Sequence, residues 1–286
     1  MADDKDAWFY TLDTPDDFSK CPDAFSFLYG DLPEKQSNKR EKKANLEPDK
    51  PGPLTADEEE ILRIAKDPGL WATTFLRNPD DPQEKLNFKG RTYQKEIVND
   101  EYRFIVMRIG RRAGKTVVLA IKAIWEAMTR PGAKVLVIAP YENQVKLIFD
   151  EKIRPMIELS PEIKASVTKI RSQPFEILFT NGSHILGMTA GTKSGQHGDS
   201  IRGQDASVII IDEGDLLSPR SIASIEAILA TDKDVKMIVS STPTGKREWF
   251  WKLCTDKRLG FHQYHYKSDV SPNWTKEVEE HFRLTH

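Results

Sequence analysis

The stretch Arg103 to Ile121, RFIVMRIGRRAGKTVVLAI, constrains the fold more than any other part of this 286-residue chain. An apolar run (Phe104, Ile105, Val106, Met107) enters Gly110-Arg111-Arg112-Ala113-Gly114-Lys115-Thr116, and a helical pattern (Val117, Leu119, Ala120, Ile121) follows. That order predicts a buried strand, a tight glycine loop and a helix N-terminus, the setting in which backbone N–H groups and the helix dipole cradle phosphate. Gly114 lets the backbone approach the phosphates, Lys115 places a point charge on the β- and γ-phosphates, and the Thr116 hydroxyl can ligate Mg²⁺. The run departs from G-x-x-x-x-G-K-[ST] in one place: Ile109 stands where the first glycine belongs, and Gly110 comes one residue late. A basic loop on an ordinary core strand has the same composition, so the rest of the chain has to decide.

The second decisive element is Val208-Ile-Ile-Ile-Asp212-Glu213, a continuous apolar strand ending in two carboxylates. Downstream of a phosphate loop, Asp212 suits Mg²⁺ and Glu213 suits the orientation or deprotonation of an attacking water. A kinase has to keep water from the γ-phosphate, whereas a hydrolase needs a base for it, so Glu213 favours hydrolysis. Without the loop, the same pair reads as an acidic strand end capping a turn. Ser240-Ser241-Thr242 closes a further strand with hydroxyls suited to sensing a γ-phosphate, or makes an ordinary Ser/Thr/Pro/Gly turn.

Two weaker signals complete the set. Gly90-Arg91-Thr92-Tyr93-Gln94 precedes the first strand. The Gln94 amide can pair with adenine N6 and N7, and Tyr93 or Arg91 could stack on the base, although Gln94 is also an acceptable solvated helix residue. The glycine-rich run Gly191 to Gly203 carries Arg202, close to where the phosphates are expected. An arginine there can neutralise transition-state charge in its own chain or on a neighbour's nucleotide, or belong to a surface loop. Cys254, His262 and His265 make a poor zinc set, because His262 and His265 face opposite sides of a strand.

From Arg103 onward, strands and helices alternate: strands at Lys134–Ala139, Val208–Ile211 and Val235–Ser240, helices near Glu142–Ile157, Ser221–Leu229 and Lys246–Cys254. Phe175–Thr180 and Ser183–Gly187 flank Asn181-Gly182, a hairpin signal. The pattern predicts an α/β fold with a mostly parallel, helix-covered sheet and ligands at the strands' C-terminal ends. Ahead of it, Thr55 with Glu58 opens a helix, and a second short helix follows Asp67-Pro68-Gly69. Residues 1–53 read as an acidic arm and flexible linker, and 54–286 as the catalytic domain.

Charge follows that division. Residues 1–60 hold 16 acidic and 8 basic side chains, net −8, which leaves +6 on 61–286 for a total of −2. A mildly basic body is compatible with a polyanionic partner. Two cysteines suggest a reducing compartment, MADDKDAW lacks a signal peptide's apolar region, and no run is long enough to span a membrane. A cytosolic protein is expected.

Together these segments resemble the ATPase domain of bacteriophage terminase large subunits, motors that package double-stranded DNA into procapsids. The likeness runs from about Asp67 to Tyr266 through DPGLWATTFLRNP, FKGRTYQKEIV, GRRAGKT, VLVIAPYENQVKLIF, the Ile201-Arg202-Gly203 turn, VIIIDE and SSTPTGKREWFWKL. Terminases carry a deviant phosphate loop with an arginine ahead of G-K-[ST], so Ile109 fits. The resemblance implies a P-loop NTPase fold of the RecA/ASCE kind with an N-terminal helical and linker extension, hydrolysing ATP with Mg²⁺ to translocate DNA. Gly110, Arg111, Arg112, Ala113, Gly114, Lys115 and Thr116 would surround the phosphates, with Arg111 the loop arginine. Gln94 would read adenine, Thr116 and Asp212 would hold the metal, and Glu213 would be the catalytic carboxylate. Ser240, Ser241 and Thr242 would form the coupling motif, and Arg202 a finger acting in trans.

The implied partners are double-stranded DNA, a portal protein, a small terminase subunit, and further copies in a ring on the procapsid, with the isolated chain allowed to be a monomer. The implied place is the host cytoplasm and, transiently, the portal vertex. A C-terminal nuclease has no room before His286, so an ATPase domain alone is expected. A superfamily-two helicase shares this core but needs a second RecA-like domain. A nucleotide-gated assembly switch with little turnover is the reading Glu213 argues against.

Overall fold

The computed structural model describes residues 55–191, 201–245 and 247–285. The arm and linker expected over 1–53, most of the glycine-rich loop (192–200) and Lys246 lie outside the described residues. The chain divides into two units between Arg63 and Ile64. In the first, the Thr55 N–H donates to Glu58 Oε2 at 2.7 Å and the Glu58 N–H returns to Thr55 Oγ1 at 3.3 Å, the expected capping box at the start of α1 (Ala56–Lys66).

The second unit opens with α2 (Pro68–Phe75), capped by Asp67, whose Oδ1 accepts the Leu70 N–H at 2.8 Å. A small hairpin, β1 (Arg77–Asn78) and β2 (Asp81–Lys85), leads to α3 (Thr92–Asn99). Alternation follows: β3 (Phe104–Ile109), α4 (Lys115–Thr129), β4 (Lys134–Ala139) and α5 (Glu142–Ile148). A π-helical turn (Phe149–Ile153), α6 (Arg154–Glu158) and α7 (Pro161–Ala165) lead into β5 (Val167–Ser172), β6 (Phe175–Phe179) and β7 (His184–Thr189). The remainder is β8 (Val208–Ile211), α8 (Pro219–Thr231), β9 (Lys236–Ser241), α9 (Trp249–Leu253), β10 (His262–Tyr266) and α10 (Lys276–Thr285).

Eight strands form one sheet in the order β10-β3-β9-β8-β4-β7-β6-β5. The pairings from β10 to β7 are parallel; β6 and β5 run antiparallel. The sheet is therefore mostly parallel and helix-flanked, a P-loop NTPase fold. All four residues of β8 are buried, as a strand covered on both faces requires. β9 separates the loop strand β3 from β8, which places the end of β9 between the glycine loop and the two carboxylates. The Asn181-Gly182 hairpin also ties the sheet to α4: Asn181 Nδ2 donates to the Ala127 carbonyl at 2.9 Å and Ser183 Oγ to the same oxygen at 2.6 Å.

Several expectations are corrected. The helix expected over Glu142–Ile157 is broken by the π turn, where the Arg154 N–H reaches back to the Phe149 carbonyl just before Pro155, a residue with no N–H to continue the ladder. The helix expected from Lys246 begins only at Trp249, because Glu248 has φ −103° and ψ −149°, outside the helical region. β5 and the β1–β2 hairpin went unpredicted. Both are largely polar, and DPQEK in β2 carries an edge-tolerated proline.

Candidate active site

The glycine loop follows β3 as the sequence predicts, and its shape comes from neighbours as much as from glycine. Gly110 donates its N–H to the Tyr266 carbonyl at 2.9 Å, and a Cβ there would meet Ser268 Oγ at 2.3 Å. It is a packing glycine, and that N–H is committed to β10. Gly114 has φ 76° and ψ 28°, and a Cβ there would lie 2.2 Å from Gln94 Nε2. Among the described residues, two non-glycine positions have left-handed backbone, Arg112 (φ 59°) and Glu213 (φ 51°). Both belong to this site, and each such residue costs about 1–3 kcal/mol that surrounding contacts have to hold. Arg111 and Arg112 are exposed, Ala113 is buried, and Thr116 on the first turn of α4 is half-buried.

Lys115 is buried and donates to the Ile109 carbonyl at 3.2 Å and to Thr242 Oγ1 at 2.9 Å. Its ammonium thus already spans from the loop to the end of β9. Ser240 Oγ donates to Asp212 Oδ1 at 3.1 Å, and Ser241 Oγ to Glu213 Oε2 at 3.1 Å. The Thr242 N–H also approaches Glu213 Oε2, at 3.4 Å. Each hydroxyl of the Ser240–Thr242 run therefore engages a different charged group. Burial, then the adjacent Glu213 carboxylate, push the Asp212 carboxyl up to about 6, while Lys115 and the Ser240 hydroxyl pull the other way. A carboxylate held under such a penalty gains from a cation. Among the described residues no group of three or more His, Cys, Asp or Glu side chains could hold a metal alone. The hard oxygens of Thr116 and Asp212 fit Mg²⁺, which takes one or two protein ligands and completes its shell with phosphates and water.

Gln94 is buried and donates from Nε2 to the Ala113 carbonyl at 3.2 Å, beside Tyr93, whose hydroxyl donates to the same oxygen at 2.7 Å. Tyr93 is buried against Tyr266, with ring centroids 5.2 Å apart, so it does not stack on a base. Arg91 remains for that role: with Asn87, Phe88, Gln94, Val117 and Pro272 it lines a cavity of about 290 Å³ beside the loop.

Arg202 is exposed and lines a groove of about 500 Å³ with Arg220, Ala223, Ser224, Ala227, Ile228 and Thr231 along α8. His262, half-buried, pairs its Nδ1 with Asp100 Oδ2 at 2.6 Å, and His265 is exposed.

The sequence model of the family described as Terminase large subunit, T4likevirus-type, N-terminal matches residues 106–278, more than half of the chain. The chain belongs to the terminase large-subunit family. A large subunit of the terminase of Thermus virus P23-45 is 26% identical over 189 residues, which is 62% of this chain and 38% of that protein. The chain thus spans about two fifths of the length of that terminase. Among solved structures, the large terminase ATPase domain of Thermus phage P74-26 superposes with a TM-score of 0.56 at 22% identity, covering 70% of this chain and 91% of that one. The large terminase of the thermophilic bacteriophage D6E in complex with ADP gives 0.51 at 18% identity, covering 65% and 46%. These terminases share the fold described above.

Two participants escaped sequence reasoning. Asp215 and Thr244 are bonded to each other; Thr244 lies in the SSTPTGKREWFWKL segment, where it was read without a role of its own, and Asp215 stands two residues past VIIIDE. The signal available was the third acid in Asp212-Glu213-Gly214-Asp215.

Proposed function

We propose that this chain is the ATP-hydrolysing motor domain of a terminase large subunit, which drives double-stranded DNA into a procapsid. The observation that carries this reading is convergence: Lys115 from the glycine loop and Asp212 and Glu213 from β8 all meet the hydroxyls at the end of β9. The D6E terminase structure contains ADP, which supports a nucleotide as ligand.

In this reading the N–H groups of the loop after Gly110 and of Lys115 and Thr116 at the start of α4 bind the phosphates. Lys115 exchanges Thr242 and the Ile109 carbonyl for the β- and γ-phosphates. Thr116 and Asp212 would hold Mg²⁺, which would supply charge neutralisation for the phosphates. Glu213 accepts the proton of the attacking water. Gln94 keeps one amide hydrogen on the Ala113 carbonyl and uses the other, with Oε1, on the adenine edge. Arg111 stays with its own chain's phosphates. Arg202, exposed on its turn, serves a neighbour's nucleotide in a ring. Portal protein and small terminase subunit are the partners this role requires, at the portal vertex in the host cytoplasm. Among the described residues no helix is long and apolar enough to cross a membrane.

The test separates binding from chemistry. Lys115→Ala should abolish tight ATP–Mg²⁺ binding, while Glu213→Gln should bind as the parent does and lose on the order of 10²–10⁴ in hydrolysis rate. Wild-type turnover by the Glu213→Gln protein would remove Glu213 from the chemistry and the reading with it.

A further inference from the structure

Asp215, two residues beyond Glu213, is a second buried carboxylate at the same strand end, 5% exposed. Its Oδ2 accepts both the backbone N–H of Thr244, at 2.8 Å, and the Thr244 hydroxyl. Among the described residues its other oxygen, Oδ1, is buried and meets no donor, so the carboxylate depends on Thr244 for its hydrogen bonds. The Asp215 N–H donates to Ser241 Oγ at 3.3 Å, the hydroxyl that itself donates to Glu213 Oε2. Two segments are thereby stitched together on both sides of Glu213: 241–242 onto its carboxylate, 244 onto Asp215.

An aspartate capping a turn is the ordinary explanation, and two features exceed it. Glu213 is held in left-handed backbone, a conformation it keeps only if the chain on each side is fixed. On one side that anchor is β8. On the other it is the Gly214–Leu216 turn, where a Cβ on Gly214 would lie 2.7 Å from Val239, and which is bonded onward through Asp215 to Thr244. The second feature is the neighbour Thr242. When Lys115 turns to phosphate, Thr242 Oγ1 loses that donor, while the Thr242 N–H keeps Glu213 and Thr244 keeps Asp215.

We propose that Asp215 and Thr244 are positioning residues that aim the Glu213 carboxylate at the attacking water and hold the segment leading from β9 to α9 in step with it. The proposal rests on the reading of Glu213 as the water-activating group. It places Asp215 and Thr244 outside the set that touches nucleotide, so their loss should appear in kcat and leave binding alone.

The experiment compares Thr244→Val, Thr244→Ser, Asp215→Asn and the Thr244→Val/Asp215→Asn double variant of the full chain with wild type and Glu213→Gln. Steady-state ATP hydrolysis, affinity for a non-hydrolysable ATP analogue, and Tm are measured for each. Thr244→Val should lower kcat by up to about 10²-fold, the loss typical of a reacting group displaced by an ångström, with KM and analogue affinity within about threefold of wild type. Thr244→Ser, which keeps the hydroxyl, should recover most of the rate, and the double variant should be no slower than the slower single one. Unchanged kcat in Thr244→Val overturns the proposal, as does a parallel fall of kcat, analogue affinity and Tm, or multiplicative losses in the double variant. If Thr244→Val fails to fold, Asp215→Asn and Thr244→Ser decide: slow and near-normal rates respectively support the latch, and equal rates overturn it. Should Glu213→Gln match wild type, the parent reading fails; should Glu213→Gln be dead while Thr244→Val is normal, only the latch fails.

Discussion

Gly114→Ala puts the loop geometry at risk in a way that can be worked through. At φ 76° and ψ 28° an alanine pays about 1–2 kcal/mol relative to glycine. Its Cβ would also lie 2.2 Å from Gln94 Nε2, so the amide has to leave the Ala113 carbonyl. That bond is worth about 0.5–1.5 kcal/mol, and the carbonyl keeps the Tyr93 hydroxyl as its other donor. The total is roughly 2–3 kcal/mol, or about 5–10 °C in Tm for a unit of this size. Affinity for an ATP analogue should fall at least about tenfold, because the loop N–H groups can no longer present together. The specific test is a double-mutant cycle. Gln94→Ala removes the side chain that Cβ strikes, so the double variant should lose less stability than the sum of the singles, by about 1 kcal/mol or more. Chemical denaturation of the four proteins measures this. A fully additive cycle, or a Gly114→Ala protein as stable and as tight as wild type, would refute the contact between Gln94 and the loop.

Three further outcomes follow from other parts of the molecule. Lys122 donates to the Asp100 carbonyl at 2.6 Å, and burial holds its pKa down to about 8, so from there to about 10.5 the unfolded chain binds a proton the folded chain does not. Stability should therefore rise with pH across that window by at most about 3 kcal/mol relative to Lys122→Met, and denaturation midpoints that track each other from pH 7 to 10.5 would refute it. Mixing Arg202→Ala with Glu213→Gln subunits should restore hydrolysis that neither shows alone; an equal loss from Arg202→Ala in a verified monomer and in the assembled ring would mean action in cis. Deleting residues 1–50 should leave nucleotide affinity unchanged, as measured by titration with an ATP analogue, and a large loss would place the arm in the site.

What was legible in the sequence is what local chemistry dictates. The strand–loop–helix around Lys115, the apolar run into Asp212-Glu213 and the Asn181-Gly182 turn each carry their cause within about ten residues, and the structure has them where the sequence puts them. The hydroxyls of Ser240–Thr242 were readable as a candidate, but their partners were not: that Thr242 meets Lys115, 127 positions earlier, depends on β9 entering between β3 and β8. Gly110 shows the same limit. Its sequence position suggests phosphate contact, and only the fold reveals Ser268 against it. β5 and the β1–β2 hairpin hide because their residues are mostly exposed and polar, so no hydrophobic period marks them.

The measurement closest to the central claim is a structure of the chain with a non-hydrolysable ATP analogue and Mg²⁺. The account predicts phosphates on the loop and first turn of α4, Lys115 Nζ moved from Thr242 Oγ1 to the phosphates, and the metal on Thr116 and Asp212. It also predicts the base against Gln94 and a water between Glu213 and the γ-phosphate. An analogue bound elsewhere, or a Glu213 carboxylate turned away from the γ-phosphate with Lys115 still on Thr242, would contradict it.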